Sequence, residues 1–330
     1  MNEHPSYCCF SVTLKCLMQC RACYIWKQKE DFSRELPAEK WKEALTHLPK
    51  VLDKKTDIII TGGEPLLKEG LIDLISHCSR IGYRVSLQTN AFLIDDELAR
   101  KLADAGLWRV CISLYSLKEE VHDYLRGRKG SYAKVFKAMD YLSKIGPDIG
   151  INIQTIIMDV NLEEAVDMAD WVQEDGRIDY ILYLAPMFPF GAGRDVNWFK
   201  NDGYKFMWPQ DTAKAKRAME RITIKKARNK KIANTSSQLK MFAKYFEDPL
   251  CACKNLNCTI GERDINIDPY GDVYLCFSKG PIGNVRDNTI DEIWHSREAA
   301  RIRSEIAGCK KFCHFLLNCS FKENDYTDYS

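Results

Sequence analysis

Residues 58–67 read IIITGGEPLL, a β-branched run that stops on two glycines, a glutamate and a proline. Three isoleucines favour an extended, buried strand, and the Gly62–Gly63 pair breaks it into a tight turn with no side chains. Nearer the start of the chain, the apolar alternating stretch Cys9 to Leu14 leads into a second loop, CLMQCRACY at residues 16–24. Its thiols, Cys16, Cys20 and Cys23, are separated by three and then two residues. A 4Fe-4S cubane has four corners, and thiolate is its usual ligand, so three local cysteines leave one iron open to a small molecule. Zinc prefers paired Cys-x2-Cys units, and no partner pair follows at a zinc-finger distance. The bland alternative is buried thiols acting as small core residues.

Outward from these two loops, short β-branched runs alternate with longer helical patterns, which predicts a parallel sheet with crossover helices. Strands are expected near 7–14, 57–61, 83–89, 108–114, 149–156 and 178–184. Helices are expected over 37–51, 68–80, 94–105, 131–145 and 161–175, with Pro37 and Asn161 at helix starts. The fold class is α/β, with six repeating units.

A chain of 330 residues that is 45% hydrophobic can fill one large core and a small second unit. Lys and Arg total 48 against 46 for Asp and Glu, so nothing global demands a nucleic acid or a membrane surface. No signal-peptide run opens the chain and no stretch of about 18 apolar residues appears. Fourteen cysteines without a secretion signal point to metal ligands in a reducing compartment, so the cytoplasm is the expected location.

The pieces CLMQCRACY, ITGGEPLL, SLQTNA and the serine of VCISLYS, spread over residues 16–115, resemble the radical S-adenosylmethionine (SAM) superfamily. The resemblance implies a partial (β/α)6 TIM-like barrel whose open side admits a bulky substrate. It implies that the open iron chelates the amino and carboxylate groups of SAM. An electron from a donor such as flavodoxin or ferredoxin then cleaves the sulfonium, and the 5'-deoxyadenosyl radical abstracts a substrate hydrogen. Gly62 and Gly63 would let backbone approach the methionine part, and Glu64 would bind its ammonium. Tyr24 resembles the aromatic residue beside the adenine, or else is an ordinary core tyrosine. Ser113 resembles the ribose contact, with Thr89 and Asn90 ending the preceding strand at a similar height. Arg126, in HDYLRGRKGSY, resembles an arginine near the SAM carboxylate; the alternative is a solvated charge like Arg128. Two positions depart from the pattern: Ala91 replaces a glycine, and Tyr115 stands where many relatives carry aspartate.

Residues 185–209 dissolve into glycine, proline and aromatics, including Phe188, Trp198, Tyr204, Phe206 and Trp208. Such a segment either lines the barrel mouth or packs as a connector. Residues 214–231 hold nine Lys or Arg against Glu220 alone, a run that greets an acidic partner or forms the wet face of a helix.

Seven more cysteines follow: Cys251, Cys253, Cys258, Cys276, Cys309, Cys313 and Cys319. The segment GERDINIDPYGDVYLC (261–276) reads as two strands joined at Pro269, Tyr270 and Gly271. This spacing, with GNV, EIW and Cys309-x3-Cys313-x5-Cys319, resembles the SPASM or shortened twitch domain, which carries auxiliary 4Fe-4S clusters. Cys258, Cys276 and two of Cys309, Cys313 and Cys319 would complete one cluster. A second would need Cys251 or Cys253 and a further ligand, so one is favoured; zinc on the same thiols is the alternative. The expected division is 1–200 for the barrel, 201–250 for a helical connector and 251–330 for the auxiliary domain.

Three functions follow. The leading one is oxidative modification of a ribosomally made peptide. The second is dehydrogenation or epimerisation of a small molecule: a sugar, an aminoglycoside or a tetrapyrrole. The third, a non-enzymatic iron–sulfur or zinc module, leaves Glu64 and its glycines without purpose. Because the chain begins almost at its first strand, a peptide substrate is expected to need a separate recognition protein. A glycyl-radical activase would not need the C-terminal hairpin. The spare thiols Cys8, Cys9, Cys78 and Cys111 lie outside both cluster motifs; Cys78 and Cys111 are expected in the core, although a thiol beside the substrate would be able to return a hydrogen atom.

Overall fold

Strand β1 (Tyr7–Ser11) lies between two parallel neighbours, β2 (Ile58–Thr61) and β7 (Asp264–Ile267). This arrangement comes from a computed structural model that describes residues 4–189, 195–250 and 258–309. Beyond β2 the sheet continues in parallel through β3 (Val85–Thr89), β4 (Arg109–Ser113), β5 (Gly150–Ile156) and β6 (Tyr180–Leu184). On the far side, β8 (Asp272–Tyr274) and β9 (Gly283–Asn284) add antiparallel, giving the order β6-β5-β4-β3-β2-β1-β7-β8-β9. The six parallel units of the expected partial barrel are therefore present, and the C-terminal hairpin extends the same sheet.

The crossovers are α1 (Ala38–Thr46), α2 (Leu71–Arg80), α3 (Asp96–Asp104), the consecutive pair α4 (Glu119–Arg126) and α5 (Ser131–Ile145), and α6 (Leu162–Glu174). They are followed by α7 (Thr212–Lys226), α8 (Ser236–Glu247), the single turn α9 (Ile260–Arg263), α10 (Ile290–Trp294) and α11 (Arg297–Ala307). Pro37 and Asn161 cap α1 and α6, as their sequence positions suggest. The first helix ends at Thr46, short of the expected residue 51, because Pro49 opens a separate 3-10 turn. The hairpin is also shorter than expected, since Gly261–Arg263 belong to α9. Its turn is held by Asp268, whose carboxylate accepts from Tyr270 N and Asp272 N at 2.9 and 3.0 Å.

Strand residues alternate between two environments. Phe10, Ile58, Ile60, Val110, Ile112, Ile151 and Ile153 are buried against the helices, with Phe10 meeting Trp41 at 5.6 Å between ring centres. The intervening positions, among them Cys9, Thr61, Gln88, Cys111 and Gln154, face the other, concave side and are half-buried. The outer edge at β6 is covered by the 231–234 segment, through Ile181 N to Lys231 O, Ala233 N to Ile181 O, and a two-way bond between Tyr183 and Asn234.

Asp264 opens β7 opposite Tyr7, and burial pushes its carboxyl up to about 7. A folded-state pKa above the unfolded value near 3.9 favours the protonated folded form, so the stability it contributes fades as pH rises from about 4 through 7. Asp264→Asn is therefore expected to raise Tm at pH 8 while leaving it little changed at pH 4. Thermal melts at both values check this; an equal shift at the two would overturn it.

Candidate functional site

The cysteine loop is placed by a backbone ladder that prolongs the β1–β2 pairing. Val12 N donates to Thr61 O at 2.9 Å, Gly63 N to Thr13 O at 2.8 Å and Glu64 N to Lys15 O at 2.8 Å. A Cβ on Gly62, where φ is +146°, would sit 2.2 Å from Thr13 O, and one on Gly63 would sit 2.4 Å from Lys15 O. The glycine pair thus brings the GGE turn flush against the approach to Cys16, a need separate from ligand binding. Glu35, which the sequence did not single out, adds to this. Its buried carboxylate accepts from Thr13 Oγ1 (2.9 Å) and Leu14 N (2.8 Å), with Lys68 Nζ at 3.7 Å.

The end of α4 clamps the loop from the other side. Arg21 N donates to Leu125 O at 3.0 Å, and Arg128 Nη1 donates to Leu17 O at 2.7 Å. Gly127, at φ +63°, packs so closely that an added Cβ would lie 2.1 Å from Gln19 O. Between these contacts Arg126 is 6% exposed, which removes the solvated alternative for this residue, whereas Arg128 is exposed. Burial discourages its charge, but Cys20, Tyr115, Cys16 and Glu64 together hold the guanidinium pKa above its ordinary value. Burial also pushes up the Cys16 and Cys23 thiols, Cys23 to about 11, with Arg126 opposing. The guanidinium lies 5.0 Å from the centre of the Tyr115 ring, and His122 Nδ1 accepts from Tyr115 N at 3.2 Å.

Glu64 is fully buried at the tips of β2 and β3. Its carboxylate accepts from Thr89 Oγ1 (2.7 Å), Asn90 N (2.9 Å) and Leu66 N (3.1 Å). Desolvation raises its pKa, and these donors together with Arg126 counteract the rise. Thr89 and Asn90 therefore brace Glu64 as well as ending their strand. Ala91, in the glycine position of the family pattern, adopts the left-handed conformation at φ +59° while buried. That conformation costs an alanine roughly 1–2 kcal/mol, and it is held by Ala91 N donating to Thr89 Oγ1 at 3.0 Å. Ser113 ends β4, half-buried on the concave side. Tyr24 is half-buried, with Lys27 Nζ 3.6 Å from its ring centre and the Tyr204 ring at 6.3 Å. The aromatic segment therefore does two jobs. Trp198 and Trp208 pack in the core, the latter at 5.1 Å from Tyr245 of α8, while Tyr204 reaches the edge of the cysteine loop.

The donor set suits a cubane and SAM. Cys16, Cys20 and Cys23 lie within electrostatic reach of the buried Arg126 guanidinium, and Asn90 Nδ2 is buried with no partner, a donor left over for a ligand oxygen. Among the described residues no three His, Cys, Asp or Glu side chains close on one point, as a lone metal ion would need. A cubane sets its thiolates apart at separate corners. Of the C-terminal thiols, Cys258 precedes α9 and Cys276 follows β8, so both lie toward the end of the sheet opposite the cysteine loop. Lys279, paired with Glu305 at 2.8 Å, stands near Cys309 and Cys276. Cys313, Cys319, Cys251 and Cys253 lie outside the described residues. The basic run forms α7 as far as Lys226, with Arg228, Lys230 and Lys231 beyond it, and much of the helix's charge is spent on ion pairs: Lys214 and Arg221 with Glu163, Lys225 with Asp170, and Lys216 with Glu247. Among the described residues no helix is long and apolar enough to cross a membrane.

An enzyme that holds an iron–sulfur cluster at the strand tips of a parallel α/β barrel is the class this geometry defines. The radical SAM superfamily model matches residues 10–172, and the SPASM model, an iron–sulfur cluster-binding domain, matches residues 258–320. The chain belongs to the radical SAM superfamily and carries a C-terminal SPASM domain. Its cofactors are accordingly SAM, the SAM-binding 4Fe-4S cluster and auxiliary iron–sulfur. It is 22% identical to the AdoMet-dependent heme synthase of Methanosarcina barkeri, over 97% of this chain and 91% of that protein. It is 25% identical to the PqqA peptide cyclase of Rhodopseudomonas palustris, over 96% of this chain and 79% of the relative. The fold is similar to that of Streptococcus suis SuiB bound to precursor peptide SuiA, with TM-score 0.66, 18% identity and coverage of 92% and 67% of the two chains.

Proposed function

We propose that this enzyme oxidatively modifies a ribosomally made peptide held in the barrel between two clusters. The observation that carries the reading is the placement of the two cysteine groups toward opposite ends of one sheet, with a concave face of polar side chains between them. The bound cluster and SAM supply reductive sulfonium cleavage and hydrogen abstraction. Cys16, Cys20 and Cys23 hold the first cluster, and Arg126 offsets the charge gathered there. Tyr24, Gly62, Gly63, Glu64, Thr89, Asn90 and Ser113 form the SAM side of the site, with Asn90 Nδ2 as the unused donor. Cys258, Cys276 and two of Cys309, Cys313 and Cys319 would hold one auxiliary cluster, which would supply an electron acceptor for the oxidation of the substrate. A low-potential donor such as flavodoxin or ferredoxin, a separate peptide-recognition protein and a cytoplasmic location complete the proposal. The likeness to PqqA peptide cyclase along most of both chains supports the peptide.

The likeness to a heme synthase, which spans 97% of this chain and 91% of that protein, favours a second reading, a tetrapyrrole substrate. Anaerobically reconstituted enzyme is expected to hold about eight iron atoms per chain, against about twelve for two auxiliary clusters. Given SAM, reductant and a short peptide encoded beside its gene, it should release 5'-deoxyadenosine while the peptide loses a hydrogen pair by mass. Turnover of iron coproporphyrin III with the peptide untouched would sink the peptide reading.

A further inference from the structure

We propose that Asn152 and Arg109, beside Ser86 and Cys111 on the concave faces of β3, β4 and β5, form an anchor for a carboxamide group of the substrate. The positions alternate with buried isoleucines and valines that face the helices, so their side chains line the interior of the barrel. Cys111 is registered opposite Asn152, and its Sγ lies 3.4 Å from Ser86 Oγ and 3.8 Å from Asn152 Nδ2. Asn152 is 1% exposed, yet its Oδ1 has no hydrogen-bond partner. Two residues before Cys111 on the same face, Arg109 donates through Nη1 to Tyr180 Oη at 3.0 Å while its buried Nε–H is unpartnered. A buried unpaired acceptor is costly, and the middle of a sheet otherwise rich in isoleucine and valine offers no structural return for it. One acceptor and one donor, left open a residue pair apart, match the N–H and C=O of an amide. Cys111 is half-buried on the concave side and stands outside the buried core in which it is expected. Cys8 and Cys78 are fully buried on the helix side.

The inference rests on the barrel interior being the substrate site, but its test does not depend on which substrate is right. Reconstituted holoenzyme is treated with iodoacetamide, whose thiol-reactive carbon carries a carboxamide, and the alkylated cysteines are mapped by mass spectrometry. Cys111 should be labelled faster than Cys8 and Cys78, and excess acetamide should slow Cys111 alone. Asn152→Leu should lower the Cys111 rate about fivefold, the loss of one hydrogen bond, with SAM binding unchanged. If that variant does not fold, acetamide protection of the unaltered enzyme decides. Labelling of Cys111 no faster than Cys8 and Cys78, or indifferent to acetamide, overturns the anchor. If protection persists but no peptide is turned over, the anchor stands and the peptide assignment falls.

Discussion

Replacing Cys16, Cys20 and Cys23 together by alanine is expected to remove about four iron atoms per chain and to abolish 5'-deoxyadenosine release from SAM. The expectation follows from how the loop is held. Its backbone is fixed independently of the thiols by the Gly63 and Glu64 amides, by Glu35 and by Arg128, so the variant keeps its fold while losing the ligands. The auxiliary thiols are far along the sheet and should retain their iron. Removing the thiols also leaves Arg126 as a buried cation with fewer counter-charges, so a lower Tm is expected beside the loss of chemistry. Continued release of 5'-deoxyadenosine by this variant would defeat the enzyme assignment itself.

Gly127→Ala should come close to the same loss without touching a ligand. The left-handed conformation at φ +63° costs an alanine roughly 1–2 kcal/mol, and the new methyl would meet Gln19 O at 2.1 Å. That oxygen cannot retreat alone, because Gln19 lies between Cys16 and Cys20 and Arg21 N is tied to Leu125 O. The loop must shift, and the cubane geometry shifts with it. Iron analysis of reconstituted protein should fall from about eight atoms toward about four, with the N-terminal share lost first to a chelator. Full iron content and normal SAM cleavage in this variant would show that the α4 clamp does not set the loop. Near-native circular dichroism of the variant would exclude a fully unfolded product.

Most of the strand positions were legible because β-branched runs and their glycine stops are local signals. The cysteine loop and the GGE turn were legible for the same reason. What lay beyond reach depends on partners distant in sequence. The pairing of β7 with β1, the Glu35 brace and the burial of Arg126 leave no periodic trace in the chain. The helix 119–126 was missed because it is short and acidic at its start and lies directly before a glycine-rich turn. Gly127 ends α4 in the left-handed conformation, as glycine commonly does, but its second duty, making room for Gln19 O, is visible only in the fold. The concave face was partly readable: Arg109, Cys111 and Ser113 alternate with Val110 and Ile112, a polar rhythm that marks the strand's inner side. The sequence-level division at residues 200 and 250 remains a proposal.

The pairing of β7 with β1 also has a consequence for biogenesis. Ser6 and Arg263, which meet where these strands begin, are 257 residues apart in sequence. During synthesis β1 has only β2 beside it until the C-terminal hairpin emerges, and a bare strand edge invites pairing with other chains. Loop closure over such a span is slow, so zippering of the hairpin onto β1 should limit the rate of folding. The turn of that hairpin then fastens the segment behind the cysteine loop, through Leu36 N to Pro269 O at 2.7 Å and Tyr270 Oη to Glu30 at 2.6 Å. The nascent polypeptide therefore completes the support of its first metal site only after the β7–β8 hairpin has been translated.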